Sequence, residues 1–267
     1  MAPLMAILAA CSGGGGSAAG DVLSQVRQSG TLRVALTQAN PPWNFVDSGG
    51  KPVGYDVDVA RELAKRLGVG NVEFVASNFQ SFIEGVRANR FDIVISGQTI
   101  TAERAQQVDF SRPYQVNGVS VFVGPNNNEV RGASDLADKT IAVSAGTSQE
   151  SYVREKVPGA QPKTYQNATL GLTDLARGNA DAMLVSRFQG AYLASNNKLP
   201  VKPVGELLDR EVNGMSFRKN AGGFKPAVDQ AINDMINDGT LAAISKKWLG
   251  GLDMAAELKQ IPAQPPN

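Results

Sequence analysis

The feature that most narrows the fold is a grammar of short apolar strands and amphipathic helices that runs through once and then repeats. Thr31–Leu36 (TLRVAL) sets Leu32, Val34 and Leu36 at alternate positions, the period of a strand. From Asp56, read as a helix cap, Val57, Ala60, Leu63, Ala64 and Leu67 fall on one helical face, and Gly68 is the stop. Residues 72–75 (VEFV) read as a second strand. Phe79, Phe82, Ile83 and Val86 form the stripe of a second helix, and 91–95 (FDIVI) is a third strand. Strands separated by helices, with no hairpin-length links, run parallel and carry the helices on their faces.

The second pass reads a strand at 140–143, a helix over 148–157, a short strand at 162–165 and a helix over 170–177 closed by Gly178. The buried strand 180–185 (ADAMLV) and a helical RFQGAYLASNN complete it. Two βαβαβ units predict an α/β protein of two lobes, each a mainly parallel sheet flanked by helices, rather than one sheet. The extended stretches 119–123 and 212–217 carry the chain into and out of the second unit and form a two-strand hinge. A helical pair over 224–249, broken at Asp238-Gly239, returns to the first lobe. The expected division is leader and tether 1–20, lobe 1 at 21–116 plus 214–250, lobe 2 at 117–213, and a tail 251–267 ending in the proline-rich IPAQPPN. In open parallel sheets ligands bind at the carboxyl ends of the strands, here the cleft between the lobes.

The 267 residues suffice for two such units. Histidine is absent, which removes Ser-His-Asp, Cys-His and His-ligated metal chemistry. A net charge of +1 without a basic run argues against a nucleic-acid partner. The single cysteine excludes disulfides and cysteine-rich zinc sites, and no metal or cofactor is expected. That residue, Cys11, ends the apolar LMAILAAC, which resembles a bacterial lipobox; the bland alternative is a short apolar leader with an incidental cysteine. The following SGGGGSAAG is a flexible tether by composition, so the order describes a body anchored by a lipidated N-terminus. No later segment has the ~18 apolar residues of a membrane-spanning helix.

Three strand ends release small polar residues: Ser96-Gly97-Gln98-Thr99 with Arg104 following, Ser144-Ala145-Gly146-Thr147-Ser148-Gln149 opening a helix, and Ser186-Arg187. A helix start offers unpaired amides and a positive dipole end to a carboxylate, and an arginine fork adds a bidentate partner. Each residue alone also fits a plain cap or a solvated arginine.

Four segments, GTLRVALTQANPPWNFVDSGGKPVGYDVDVARELAKRLG, FDIVISGQTITAERAQQVDFSRPY, IAVSAGTSQE and DGTLAAISKKWLG, resemble in order and spacing the bacterial periplasmic solute-binding proteins of polar amino-acid ABC transporters, known as extracellular solute-binding protein family 3. Within that family DAMLVSRFQGAYL is similar to cystine- and cysteine-type members. The resemblance implies the type II periplasmic binding fold, with a hinge that closes over a ligand. It implies that Arg104, with Thr99 beside it, grips a ligand α-carboxylate, and that Thr147 completes the grip from the second lobe. Ser96 and Gly97 fall where main-chain carbonyls receive an ammonium group, and Phe79 where an apolar wall lies under the ligand side chain. The resemblance also implies that Ser144 and Gln149 complete the side-chain end of the pocket, with Ser148 between them among the ligand-binding residues.

Departures from the family pattern are informative. Asn40 stands at the usual aromatic lid, and Thr37 where basic-amino-acid binders place a carboxylate. Ser186 replaces the aspartate that pairs with the ligand ammonium, leaving Glu150, Glu206, Asp209 and Glu211 as candidate substitutes. The implied function is non-enzymatic: a monomeric receptor, periplasmic or on the cell surface, that delivers an amino acid or related small carboxylate to a membrane permease. Alternatives on the same scaffold are a cyclohexadienyl-dehydratase-like enzyme, which needs an acid in the cleft, and a ligand-presenting sensory protein.

Overall fold

A computed structural model describes residues 21–145 and 147–261. Cys11, the tether, Gly146 and residues 262–267 lie outside the described residues. Helix α1 (Val22–Ser29), capped by Asp21, leads into β1 (Thr31–Leu36), where Leu32, Val34 and Leu36 are fully buried. A small antiparallel meander follows: β2 (Ala39–Asn40), β3 (Asn44–Val46) and β4 (Pro52–Val53). Gly54 then turns the chain at φ 125° into α2 (Tyr55–Arg66). A Cβ on Gly54 would lie 2.4 Å from the Trp43 carbonyl oxygen, so no other residue fits. Gly54 therefore holds the cap position. Asp56, expected to cap the helix, sits inside its first turn and is fully buried. The expected stripe from Val57 to Leu67 is buried as its spacing required.

Next come β5 (Asn71–Ala76), a 3-10 turn at Phe79–Ser81, α3 (Phe82–Arg87) and β6 (Ile93–Thr99). The strand expected at 91–95 thus runs on through Ser96, Gly97, Gln98 and Thr99, because a neighbouring strand offers a ladder to that polar stretch. Phe79 lies in the 3-10 turn and not on the helix. The chain continues through α4 (Ala102–Gln107), β7 (Asp109–Val123), β8 (Thr140–Ser144), α5 (Ser148–Lys156), β9 (Gln161–Tyr165) and α6 (Ala168–Ala176). It ends with β10 (Ala182–Ser186), α7 (Arg187–Asn196), β11 (Lys202–Phe217), α8 (Phe224–Asn237), α9 (Thr240–Trp248) and α10 (Met254–Lys259).

Eight strands form one hydrogen-bonded ladder in the order β5-β1-β6-β11-β7-β10-β8-β9. The outer pairings at both ends are parallel, as expected. Those made by β7 and β11 in the middle are antiparallel. The two hinge segments read from sequence, 119–123 and 212–217, are the C-terminal ends of two much longer strands, paired from Lys202↔Val123 to Phe217↔Asp109. Each serves one lobe with one half and the other lobe with the rest, which is why two lobes share a single ladder.

The cores differ in size. One large cluster packs α2, α8 and α9 against β1, β6 and the ends of β7 and β11, with Tyr55, Leu63, Phe217, Phe224 and Ile232 fully buried. On the β8–β10 side two smaller clusters, around Val121, Ile141 and Leu184 and around Phe122, Leu172 and Met183, cover the two faces. The residues after Gly250, expected only as a tail, include α10. Its buried Met254 accepts a hydrogen bond at Sδ from Val116 N–H in β7, 3.2 Å away.

Candidate functional site

Cross-strand register brings the polar strand ends together. Thr99 at the end of β6 faces Asn213, which faces Gln115 of β7. Ser186 at the end of β10 faces Val119 of β7, which faces Asp209 of β11. Residues in one cross-strand row share a face, as do positions four apart on β7, so both strand ends open on the same side of the sheet. Four residues span about 13 Å, the separation of the two halves of the site along the hinge.

Arg104 anchors the first half. Thr101 caps α4 by accepting from Arg104 N–H, which directs the arginine side chain back toward the sheet. Its Nη1 donates to the Thr99 carbonyl at 2.9 Å, and the guanidinium lies 5.4 Å from the centre of the Phe79 ring. Phe79, 36% exposed, leans edge-on against the buried Phe82. Arg104, Thr99 and Phe79 therefore form one unit, and among the described residues no carboxylate pairs with the guanidinium. Its remaining N–H groups are free for an anion from the cleft.

The other half is lighter. Thr147 Oγ1 donates to the Ser144 carbonyl at 2.7 Å and accepts from Glu150 N–H, capping α5. Ser148 and Gln149 occupy the first turn of α5, whose backbone amides have no intrahelical acceptor. Ser186 donates to Asn117 Oδ1 at 2.7 Å, which leaves its lone pairs as neutral acceptors. Of the four acids proposed as substitutes, Glu150 accepts at Oε1 from both Nε and Nη2 of Arg154. Glu206 lies with Arg187, Arg210 and Glu257 in a separate cavity. Glu211 faces Asn117 and Asp209 faces Val119, so these two share the face and the neighbours of Ser186.

Beneath the first half lies a network that the sequence reading missed. Asp56, Asn44 and Tyr114 are fully buried. Asn44 Nδ2 donates to Asp56 Oδ2 at 2.7 Å and to Ser96 Oγ at 3.2 Å. Asn44 Oδ1 accepts from Thr37 Oγ1 at 2.7 Å and from Gln38 N–H at 2.9 Å. Tyr114 donates to Asp56 Oδ1 and accepts from Gly97 N–H, both at 2.9 Å. Three of the expected contact residues, Thr37, Ser96 and Gly97, thus hang from one carboxylate. Gly97 holds φ 62°, and a Cβ there would come within 3.1 Å of Gln115 Oε1, so glycine is required by both backbone and space. Burial pushes the Asp56 carboxyl up to about 7, against the lowering effect of its bonds from Asn44 and Tyr114. The signal lay in plain view as GYD, but an aspartate near a helix start reads as a cap. Asn40, the residue at the expected lid, is exposed and offers its backbone to Asn44.

Among the described residues no cluster of His, Cys, Asp or Glu could hold a metal ion, and no helix is long and apolar enough to cross a membrane.

Residues 32–251 match the sequence profile of the bacterial extracellular solute-binding proteins, family 3. The chain belongs to that family. It is 34% identical over 230 residues to the L-cystine-binding protein TcyJ of Escherichia coli (strain K12), covering 86% of each chain. The L-cystine solute receptor of Neisseria gonorrhoeae, in its unliganded open conformation, superposes with a TM-score of 0.78 at 26% identity, covering 88% of this chain and 99% of that one. An ancestral arginine-binding protein bound to arginine is 36% identical yet superposes at only 0.56, covering 83% of this chain and 99% of that one. The less similar sequence is the better superposed.

Proposed function

We propose that this protein is the receptor of an amino-acid ABC importer and that its ligand is a dipolar amino acid of the L-cystine type. The observation that carries this reading is the guanidinium of Arg104, which meets no carboxylate among the described residues and is set on Phe79 beside the polar end of β6. The ligand carboxylate is taken by Arg104 and, on closure, by Thr147 and the first amides of α5. The ammonium is received by the acceptors of Ser186, Thr37 and Gly97, with Asp209 and Glu211 supplying the negative charge that Ser186 lacks. A cationic side chain finds no carboxylate at Thr37, which favours L-cystine over arginine. Closure is favoured only so far as the ligand touches both halves, which makes the closed form the signal to the permease.

The lobes divide within β7 and β11, at 21–116 plus 214–250 against 117–213. The receptor works as a monomer, without cofactor or turnover: the nearest carboxyl with a raised proton affinity, Asp56, is fully buried with both oxygens engaged, out of reach of a ligand. Cys11 at the end of LMAILAAC anchors it to the membrane through lipid. Isothermal titration with L-cystine, L-arginine and the des-amino analogue of cystine, paired with small-angle scattering, tests the reading. L-cystine should bind most tightly and reduce the radius of gyration. Binding of the des-amino analogue alone, or binding without compaction, would overturn it.

A further inference from the structure

The hydrogen bonds beneath the cleft can be read as a circuit of donors and acceptors, and only one assignment satisfies all of them. An ionised carboxylate can only accept. Asp56 therefore forces the Asn44 amide to point its NH2 inward, and the Asn44 carbonyl must then face Thr37 and Gln38. Gln38 contributes a backbone N–H, which cannot accept, so this orientation is locked from both sides. Thr37 spends its one proton on Asn44 and presents only lone pairs elsewhere. Ser96 Oγ accepts from Asn44 Nδ2 and from Thr37 N–H, which fills both its lone pairs and leaves its O–H as the remaining function. On the second branch Tyr114 gives its proton to Asp56, so its oxygen must accept, and it takes the Gly97 N–H. Gly97 then has only its carbonyl to offer.

We propose that Asp56 is a positioning residue that, through Asn44 and Tyr114, fixes the polarity of the first-lobe half of the cleft: Thr37 and Gly97 as acceptors, Ser96 as a donor. The inference rests on the reading of the cleft as an amino-acid site and deepens it, for it assigns the acceptor pair to the ammonium and the lone donor to the carboxylate. Asp56 touches no ligand; it acts through two buried intermediaries. An amide in its place could donate as well as accept, and the whole chain of assignments would lose its direction.

The surroundings of Asp56 make it sensitive to pH. Tyr55 on its own helix and Tyr114 on β7 are the titratable groups beside it, both held neutral far above their ordinary value by burial. Asn44 from β3 and Gly97 N–H from β6 complete the network. Protonation at about 7 removes the obligate acceptor, so the polarity is defined only above that value.

The test compares the full-length protein with Asp56→Asn, Thr37→Val and the double variant, using L-cystine as probe between pH 6 and 8.5. Wild type should bind at least tenfold more tightly at pH 8.5 than at pH 6. Asp56→Asn should remain folded by circular dichroism, lose at least tenfold in affinity at pH 8.5 and lose the pH dependence. Thr37→Val should cost little more once Asp56 is gone. Wild-type affinity and pH profile in Asp56→Asn, or losses that simply add, would overturn the proposal. A second arm needs no ligand: the side-chain amide protons of Asn44, followed by NMR, should titrate with a midpoint near 7 in wild type and not in Asp56→Asn. If wild type binds no amino acid, the proposed function fails alone, and this arm still decides; an Asn44 amide that ignores pH and the substitution refutes the positioning role.

Discussion

The two halves of the site are built differently. On the β1–β6 side Thr37, Ser96 and Gly97 are tied into a buried network, and behind it lies the larger of the protein's cores. On the β8–β10 side the contact groups are a helix cap and a strand-end serine, held by one or two bonds each and backed by smaller clusters. A preorganised half binds first and loses little order in doing so; a lighter half can follow the ligand as the hinge closes. On the proposed reading, the contrast lets one ligand select its orientation on the first lobe and still draw the second toward it.

The largest effect expected is from Arg104→Ala, which removes the charge-assisted bonds to the ligand carboxylate that we propose for this residue. It should weaken L-cystine binding by about 2–3 kcal/mol, roughly 30- to 150-fold by titration calorimetry, while leaving the melting temperature near wild type. Tyr114→Phe strikes the network instead: Asp56 Oδ1 loses its donor and Gly97 N–H its acceptor. Chemical denaturation should show about 1–3 kcal/mol of lost stability, together with weaker binding. Thr147→Ala acts on the lighter half. Losing that cap should cost about 1 kcal/mol of stability, with an affinity loss smaller than that of Tyr114→Phe. Equal affinity losses from Tyr114→Phe and Thr147→Ala would erase the distinction between a preorganised and a following half.

The smallest effects are in pH dependence, where one carboxyl from each side, Asp56 and Asp174, carries the opposite sign. Asp56 on the first side has its ordinary 3.8 raised to about 7 by burial. The native state therefore holds a proton that the unfolded chain releases, and stability falls as pH rises from about 4 through 7. Asp174 on the second side is held well below its ordinary value by Asn179, Lys163 and Tyr165. Its contribution is present above the ordinary value and is lost as pH falls below it. Melting curves from pH 3 to 8 should show Asp56→Asn flattening the decline toward neutral pH. Asp174→Asn should lower stability at neutral pH and converge on wild type at the acid end. A shared direction for the two variants would break the comparison.

Much of this protein was legible in its residues. Alternation at Leu32, Val34 and Leu36, the stripe from Val57 to Leu67 and the helix-closing glycines are local patterns, and local patterns follow from side-chain period and backbone preference alone. The second pass of the grammar likewise announced a second lobe. Arg104 could be singled out as a candidate because strand, polar turn and capped helix stand next to one another in the chain.

What the sequence could not show are facts of register and burial. That β6 continues through Ser96–Thr99 depended on β11, a strand more than a hundred residues away, offering it hydrogen bonds. That Asp209 and Glu211, rather than Glu150 or Glu206, stand by Ser186 depended on which residue of β7 each faces. Asp56 is the sharpest case. An aspartate two residues after a glycine at a helix start is a cap by every local rule, and only the packing of Asn44 and Tyr114 over it turns a capping group into a buried, fully bonded carboxyl. Local chemistry set what each segment could become; the long-range pairing of β7 and β11 decided which polar groups would meet, because hydrogen bonds between distant strands and the loss of water around a carboxylate exist only once the chain has folded.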